Sequence, residues 1–71
     1  MKGKLRPSLH QRLRLLMRGT RFYGDGDRDN FQLRKMGLIE MTGAVSAEGL
    51  REWLITDAGR VALEAHEKGE P

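Results

Sequence analysis

Hydrophobic residues recur with a helical period near both ends of this 71-residue chain and alternate in its middle. Near the N-terminus, spacings of four, three and one residues predict one buried helical stripe formed by Leu9, Leu13, Leu16 and Met17. Ser8 is the predicted N-cap of this first helix, with Gln11 completing a capping box. Gly19 is its predicted end. Residues 1–7 precede it and are predicted to form a flexible basic arm.

A short strand, a turn and a second helix are predicted next. Residues 20–23 are β-prone, and residues 24–27 alternate Gly with Asp, which favours a turn. The second helix begins at Asp27 or at Asp29, since either carboxylate suits an N-cap, and it runs to Met36. Its predicted apolar anchors are Phe31, Leu33 and Met36.

A β-hairpin is predicted across residues 38–56, with strands 38–45 and 50–56 and a tip at residues 46–49. Gly37 ends the preceding helix, and Thr56 caps the helix that follows. Alternation predicts two possible core-facing pairs, either Ile39 with Met41 or Trp53 with Ile55.

The last helix follows Thr56 directly and is predicted to have a broad apolar side. Gly59 lies inside it, where glycine costs about 1 kcal/mol relative to alanine. We therefore expect Gly59 to allow another element to approach closely. The apolar side consists of Ala58, Val61, Ala62, Leu63 and Ala65. Residues 68–71 are predicted to be a flexible tail.

The length of the chain indicates a single small domain spanning residues 1–71, and the predicted elements give it an α+β fold with three helices and a two- to three-stranded antiparallel sheet. The chain has no Cys, and no apolar run approaches the roughly 20 residues needed to cross a bilayer. No signal-peptide pattern is present. We therefore expect a cytoplasmic protein with no membrane partner.

The formal net charge of +3 is unevenly distributed. Residues 1–36 carry ten Lys or Arg against three Asp, whereas residues 37–71 carry three against seven Asp or Glu. One interpretation is a basic face that approaches phosphates and an acidic face turned away from them. The other is that both halves are ordinary solvated surfaces.

The hairpin and its flanking helices resemble the winged helix-turn-helix superfamily, most closely its MarR-like and PadR-like branches. A Leu-x-x-x-Gly-Leu-Ile pattern ends the recognition helix of those proteins, and Ile-Thr-x-x-Gly-Arg follows the second wing strand. The resemblance covers residues 31–63 and implies a fold used mostly to bind DNA. One helix of the family is missing, because only residues 19–28 separate the first helix from the recognition helix. The matching positions are Leu33, Gly37, Leu38, Ile39, Ile55, Thr56, Gly59 and Arg60.

For double-stranded DNA, the second helix would enter the major groove, where Arg reads guanine and Asn or Gln reads adenine. Its predicted exposed side chains are Arg28, Asn30, Gln32, Arg34 and Lys35. The arm would follow phosphates or enter a minor groove with Lys2, Lys4 and Arg6, and the wing would offer Arg51 between Glu48 and Glu52. Further phosphate contacts are predicted from Arg12, Arg14, Arg18 and Arg21. The three Asp residues at positions 25, 27 and 29 would repel phosphates.

Other chemistry finds little support. The Asp25-x-Asp27-x-Asp29 spacing opens a calcium loop, but its sixth and twelfth positions hold Asn30 and Met36 instead of Gly and Glu. His10 and His66 are predicted to have surface or packing roles. We expect no metal, no cofactor and no enzymatic activity.

Three functions remain open. The first is a small dimeric DNA-binding regulator or accessory factor of a phage or mobile element. The second is a protein-binding inhibitor or adaptor that keeps the winged-helix shape without docking on a duplex. The third is a domain whose function resides in its oligomer.

Overall fold

A computed structural model describes residues 5–68, which form three helices and one three-stranded antiparallel sheet. The α+β class and the three-stranded form of the sheet are confirmed, in a layout consistent with a winged-helix-like domain. Lys2 and Lys4 of the predicted arm, and residues 69–71 of the predicted tail, lie outside the described residues. The elements are α1 Pro7–Met17, β1 Arg21–Tyr23, α2 Arg28–Lys35, β2 Ile39–Val45, β3 Arg51–Ile55 and α3 Asp57–Lys68.

Helix α1 begins two residues earlier than predicted, and Ser8 is not its cap. Pro7 occupies the first turn and Arg6 is the N-cap residue, with no side-chain hydrogen bond. Proline suits this position because the first helical N–H groups need no helical partner and its ring fixes a helical φ. Leu5 is buried, so the predicted arm does not extend to residue 7.

The sheet has the order β1-β3-β2, which places the predicted short strand β1 at an edge. In the hairpin, Met41 lies opposite Trp53 and Ile39 opposite Ile55, so both predicted pairs share one face. The tip is closed by a hydrogen bond from the Ser46 amide to the Leu50 carbonyl at 2.8 Å. The predicted hairpin is therefore confirmed.

The two junctions of helix and strand are hydrogen-bonded to each other. Gly37 has a φ of +79°, and the Leu38 amide donates back to the Leu33 carbonyl at 3.0 Å, as in a Schellman motif. The Thr56 hydroxyl accepts from the Gly59 amide at 3.0 Å and donates to the Gly37 carbonyl at 2.8 Å. One side chain thus caps α3 and fastens it to the end of α2.

Gly59 has the role expected of it. A Cβ atom at this position would collide with the Leu38 carbonyl oxygen and lie 2.6 Å from Ile55 Cγ1. Helix α3 therefore packs against the base of the hairpin at a distance that only glycine permits.

The core lies between the helices and one face of the sheet. Its buried residues are Leu5, Leu9, Leu13, Leu16, Leu33, Leu38, Ile39, Trp53, Ile55 and Leu63. For several residues the predicted burial in the core is wrong, because each helix packs through a narrower row of buried side chains than the sequence pattern suggests. These exposed residues are Met17, Phe31 and Met36, together with Ala58, Val61 and Ala65 of α3.

Candidate nucleic-acid interface

Helix α2 is held at its N-terminus by Arg12 of α1. The Arg12 guanidinium donates to the carboxylate of Asp27 at 2.9 Å and to the side-chain carbonyl of Asn30 at 2.6 Å. It also lies 4.2 Å from the centre of the Tyr23 ring. Arg12 was predicted to neutralise phosphates, and this is wrong because its charge serves an internal contact. The same contact fixes α2 relative to α1 and β1.

Asp27 is the N-cap of α2, one of the two predicted caps. Its carboxylate accepts from the Asn30 amide at 3.0 Å, whereas Asp29 lies within the first turn. Burial raises the pKa of the Asp27 carboxyl, but the Arg12 hydrogen bond, backbone amides and the Arg12 charge outweigh it. The pKa therefore lies below its ordinary value of 3.8. Asp27 stays ionised, which suits both the cap and the ion pair.

Asn30 was predicted to read bases, and this is wrong. It is 1% exposed and faces the same side of α2 as Leu33, one helical turn away. Its side-chain oxygen accepts from Arg12, and its side chain is buried, so a base edge has no access to it.

The outward face of α2 consists of Arg28, Phe31, Gln32 and Lys35, with Arg34 at its flank. These residues follow the i, i+3, i+4, i+7 spacing of a single helical face, and all are exposed. Within residues 5–68, none of the cations at positions 28, 34 and 35 forms an ion pair. The structure thus brings together four of the five α2 side chains that were predicted to be exposed, and Phe31 adds an aromatic ring to them.

Phe31 is the residue of this face that the sequence pattern had assigned to the core. It was assigned to the core, yet it is 59% exposed. Helical geometry contains the signal, because Phe31 and Leu33 are two positions apart and therefore point to nearly opposite sides. Only one of them can face the core.

The three carboxylates that precede and begin α2 lie close to side chains from other elements of the fold. Asp25 accepts a hydrogen bond from Arg51 of β3 at 2.8 Å, and Asp27 pairs with Arg12. The Ser8 hydroxyl lies 3.5 Å from the Asp29 carboxylate. The predicted repulsion of phosphates is therefore offset at two of the three carboxylates by arginines from other elements.

Arg51 remains at the wing but is not a free cation. It is exposed and bonded to Asp25, so a phosphate would have to compete with that carboxylate. Glu52 points to the opposite face of the sheet, where its carboxylate accepts from Thr42 and Thr20, each at 2.7 Å. The hydrogen bond from Thr42, and to a smaller extent the one from Thr20, lowers the pKa of the Glu52 carboxyl. Glu52 does not oppose a ligand on the Arg51 side.

A groove of about 340 Å³ separates α2 from the hairpin. Arg34 and Arg51 both line it, and Phe31 forms part of its wall. Its remaining lining residues are Asp25, Asp27, Met41 and Trp53.

The remaining predicted cations are spread over other surfaces. Arg6 is exposed at the start of α1, and Arg18 and Arg21 are exposed at the far end of that helix and on β1. The Arg14 guanidinium lies 3.6 Å from the Glu67 carboxylate.

The two histidines meet where α1 packs on α3. Their ring centres are 4.6 Å apart, and His10 Nε2 lies 3.0 Å from the Glu67 carboxylate. Within residues 5–68, no three His, Cys, Asp or Glu side chains are grouped to hold a metal ion.

No protein-family model, curated protein or solved structure matches this chain. Among the described residues, none of the helices has both the length and the apolar character needed to cross a membrane.

Proposed function

We propose that this protein binds double-stranded DNA through the outward face of α2, as a cytoplasmic regulator or accessory factor of a phage or mobile element. The proposal is for a binding protein without a cofactor or catalytic activity. The observation that carries it is the face itself, where Arg28, Arg34 and Lys35 are exposed without carboxylate partners among residues 5–68. The winged-helix resemblance of the hairpin and its junctions supports the same assignment.

The chemistry of the face suits the major groove. Arg28 and Lys35 present donors for guanine O6 and N7, and Gln32 presents the donor and acceptor pair that matches adenine. An α-helix with its side chains is about 10–12 Å across and fits the roughly 12 Å width of the major groove, and the eight residues of α2 give it a length of about 12 Å. Arg34 contacts the adjacent phosphates from the flank of the helix.

We propose that a homodimer binds the DNA. One short helix covers only a few base pairs, and a single small module buries limited surface, so useful affinity requires two copies. A two-fold dimer would recognise two half-sites related by the same symmetry.

The test is binding of the full chain to a short random-sequence duplex between about 50 and 200 mM salt. The logarithm of affinity should fall linearly with the logarithm of salt, by about 0.9 for each phosphate contact. On a duplex of random sequence, Arg28 and Lys35 meet phosphates instead of a matching guanine, so the double variant Arg28→Ala/Lys35→Ala should weaken binding and reduce that slope by up to about two units. The control Arg60→Ala/Lys68→Ala removes the same charge from exposed positions on α3 and should keep the slope.

Two results would overturn the proposal. One is the absence of binding at low salt. The other is an equal loss of affinity in both double variants, because that would reflect net charge alone.

A protein-binding adaptor is the second candidate. The observation that favours it is the segment between α1 and α2, which holds only β1 and a turn where the resembling family has a further helix. Binding to a protein partner through an apolar contact would be largely insensitive to salt, in contrast to phosphate contacts.

A further inference from the structure

Phe31 is the one large apolar side chain in the middle of the polar outward face of α2. It follows Arg28 by three positions and precedes Lys35 by four, with Gln32 beside it. At 59% exposure its ring contributes little to the core, and the Lys35 ammonium lies 5.6 Å from the ring centre. That distance is within the range of a cation–π interaction, which keeps the ring beside the basic side chain.

The base edges in the major groove offer few apolar partners for such a ring. Donors and acceptors dominate these edges, and the apolar feature of an unmodified duplex is the C5-methyl group of thymine. A ring flanked by Arg28 and Gln32 would lie between the side chains assigned to hydrogen bonding with bases.

We infer that Phe31 is a specificity-determining residue that selects a pyrimidine C5-methyl group, that of thymine, at the centre of each half-site. This inference rests on the proposed DNA binding through α2. The neighbouring polar side chains set the pattern of donors and acceptors, and Phe31 adds an apolar contact that cytosine cannot provide.

The first experiment uses the wild-type chain. A preferred duplex is selected from a random-sequence pool, and each thymine of that duplex is then replaced singly by deoxyuridine, which pairs identically but has no methyl group. At one position in each half-site, affinity should fall about fourfold, equivalent to about 0.8 kcal/mol for one buried CH₂-sized group. Replacing the thymine–adenine pair at that position by a 5-methylcytosine–guanine or a cytosine–guanine pair tests the effect of the methyl group apart from the rest of the thymine edge. The methylated base should bind more tightly than cytosine.

The second experiment uses matched variants. Phe31→Ala should bind the thymine and deoxyuridine duplexes equally, because the ring that contacts the methyl group is gone. Phe22→Ala removes an exposed phenyl ring from β1, 42% exposed, and should retain the fourfold preference. Alanine is the best helix former, so Phe31→Ala leaves α2 intact.

The outcomes distinguish failure of this inference from failure of the proposed function. If wild-type protein selects a duplex but no deoxyuridine replacement changes affinity, this inference is wrong and the proposed function stands. If the pool yields no enriched duplex and no DNA is bound at low salt, the proposed function fails and the inference fails with it. A methyl preference that persists in Phe31→Ala assigns it to another residue and also overturns the inference.

Discussion

Replacement of Asp27 tests the contact that positions α2. Asp27→Ala removes an N-cap hydrogen bond worth about 1 kcal/mol. It also leaves the partly buried Arg12 guanidinium without its charged partner. A hydrogen bond to a charged group is worth about 1.5–3 kcal/mol, and we take about 1 kcal/mol because the Asp27 side chain is 23% exposed. The expected total is about 2 kcal/mol, or a decrease in Tm of about 8–16 °C for a domain of this size.

Asp27→Asn separates the two contributions. Asparagine caps helices about as well as aspartate, so this variant keeps the cap and loses the charge. We expect it to lose about 1 kcal/mol, half the effect of alanine. Circular dichroism during thermal and urea unfolding at neutral pH measures both variants against wild type.

The pH dependence of stability shows whether the ionised Asp27 carboxylate stabilises the fold. Because the pKa of the Asp27 carboxyl is lowered in the folded state, its contribution is present above the ordinary value of 3.8 and is lost as pH falls through the lower folded value. The stability difference between wild type and Asp27→Asn should therefore be constant near neutral pH and shrink below about pH 4. A difference that persists unchanged into strong acid, or an Asn variant as unstable as the Ala variant, would refute this account of Asp27.

Three further predictions follow from the packing and the ion pairs. Gly59→Ala should lower the free energy of unfolding by about 3 kcal/mol in urea titrations, because Cβ meets backbone, while Gly26→Ala, open on all sides, should change it by less than about 1 kcal/mol. Asp25→Asn should free its arginine partner on the wing, so that DNA affinity rises and the salt slope steepens by about 0.9 in the same titration; an unchanged slope would mean that the wing does not contact phosphate. Leu13→Ala should cost about 2–5 kcal/mol, whereas Met17→Ala, on the same predicted stripe but 49% exposed, should cost less than about 1 kcal/mol in chemical denaturation.

The sequence was sufficient for the hairpin and its two junctions because their causes are local. Gly37 is required where the chain leaves α2 with a positive φ, and Thr56 caps the helix that begins at the next residue. Alternation of apolar residues over strands of five and seven residues then sets the buried face. Each of these signals lies within a few positions of its effect.

The side chains of the candidate interface could not be placed in the same way. Arg12 reaches Asn30 across 18 positions, and Arg51 reaches Asp25 across 26. A pattern search treats each of these residues as a free surface group, since nothing near them in sequence reveals a partner. Helix α2 adds a second difficulty, because eight residues contain too few apolar positions to define its buried side securely.

The pairing of distant charges also changes what the interface presents to a ligand. Counted along the chain, residues 25–35 are neutral, since three Asp residues balance Arg28, Arg34 and Lys35. In the fold, Arg12 and Arg51 come from other elements and pair with two of those carboxylates, so the cluster has a net charge of +2. The paired carboxylates face neighbouring arginines, while the three cations of α2 have no carboxylate partner within residues 5–68. A segment that appears neutral in sequence therefore presents a positive helix face.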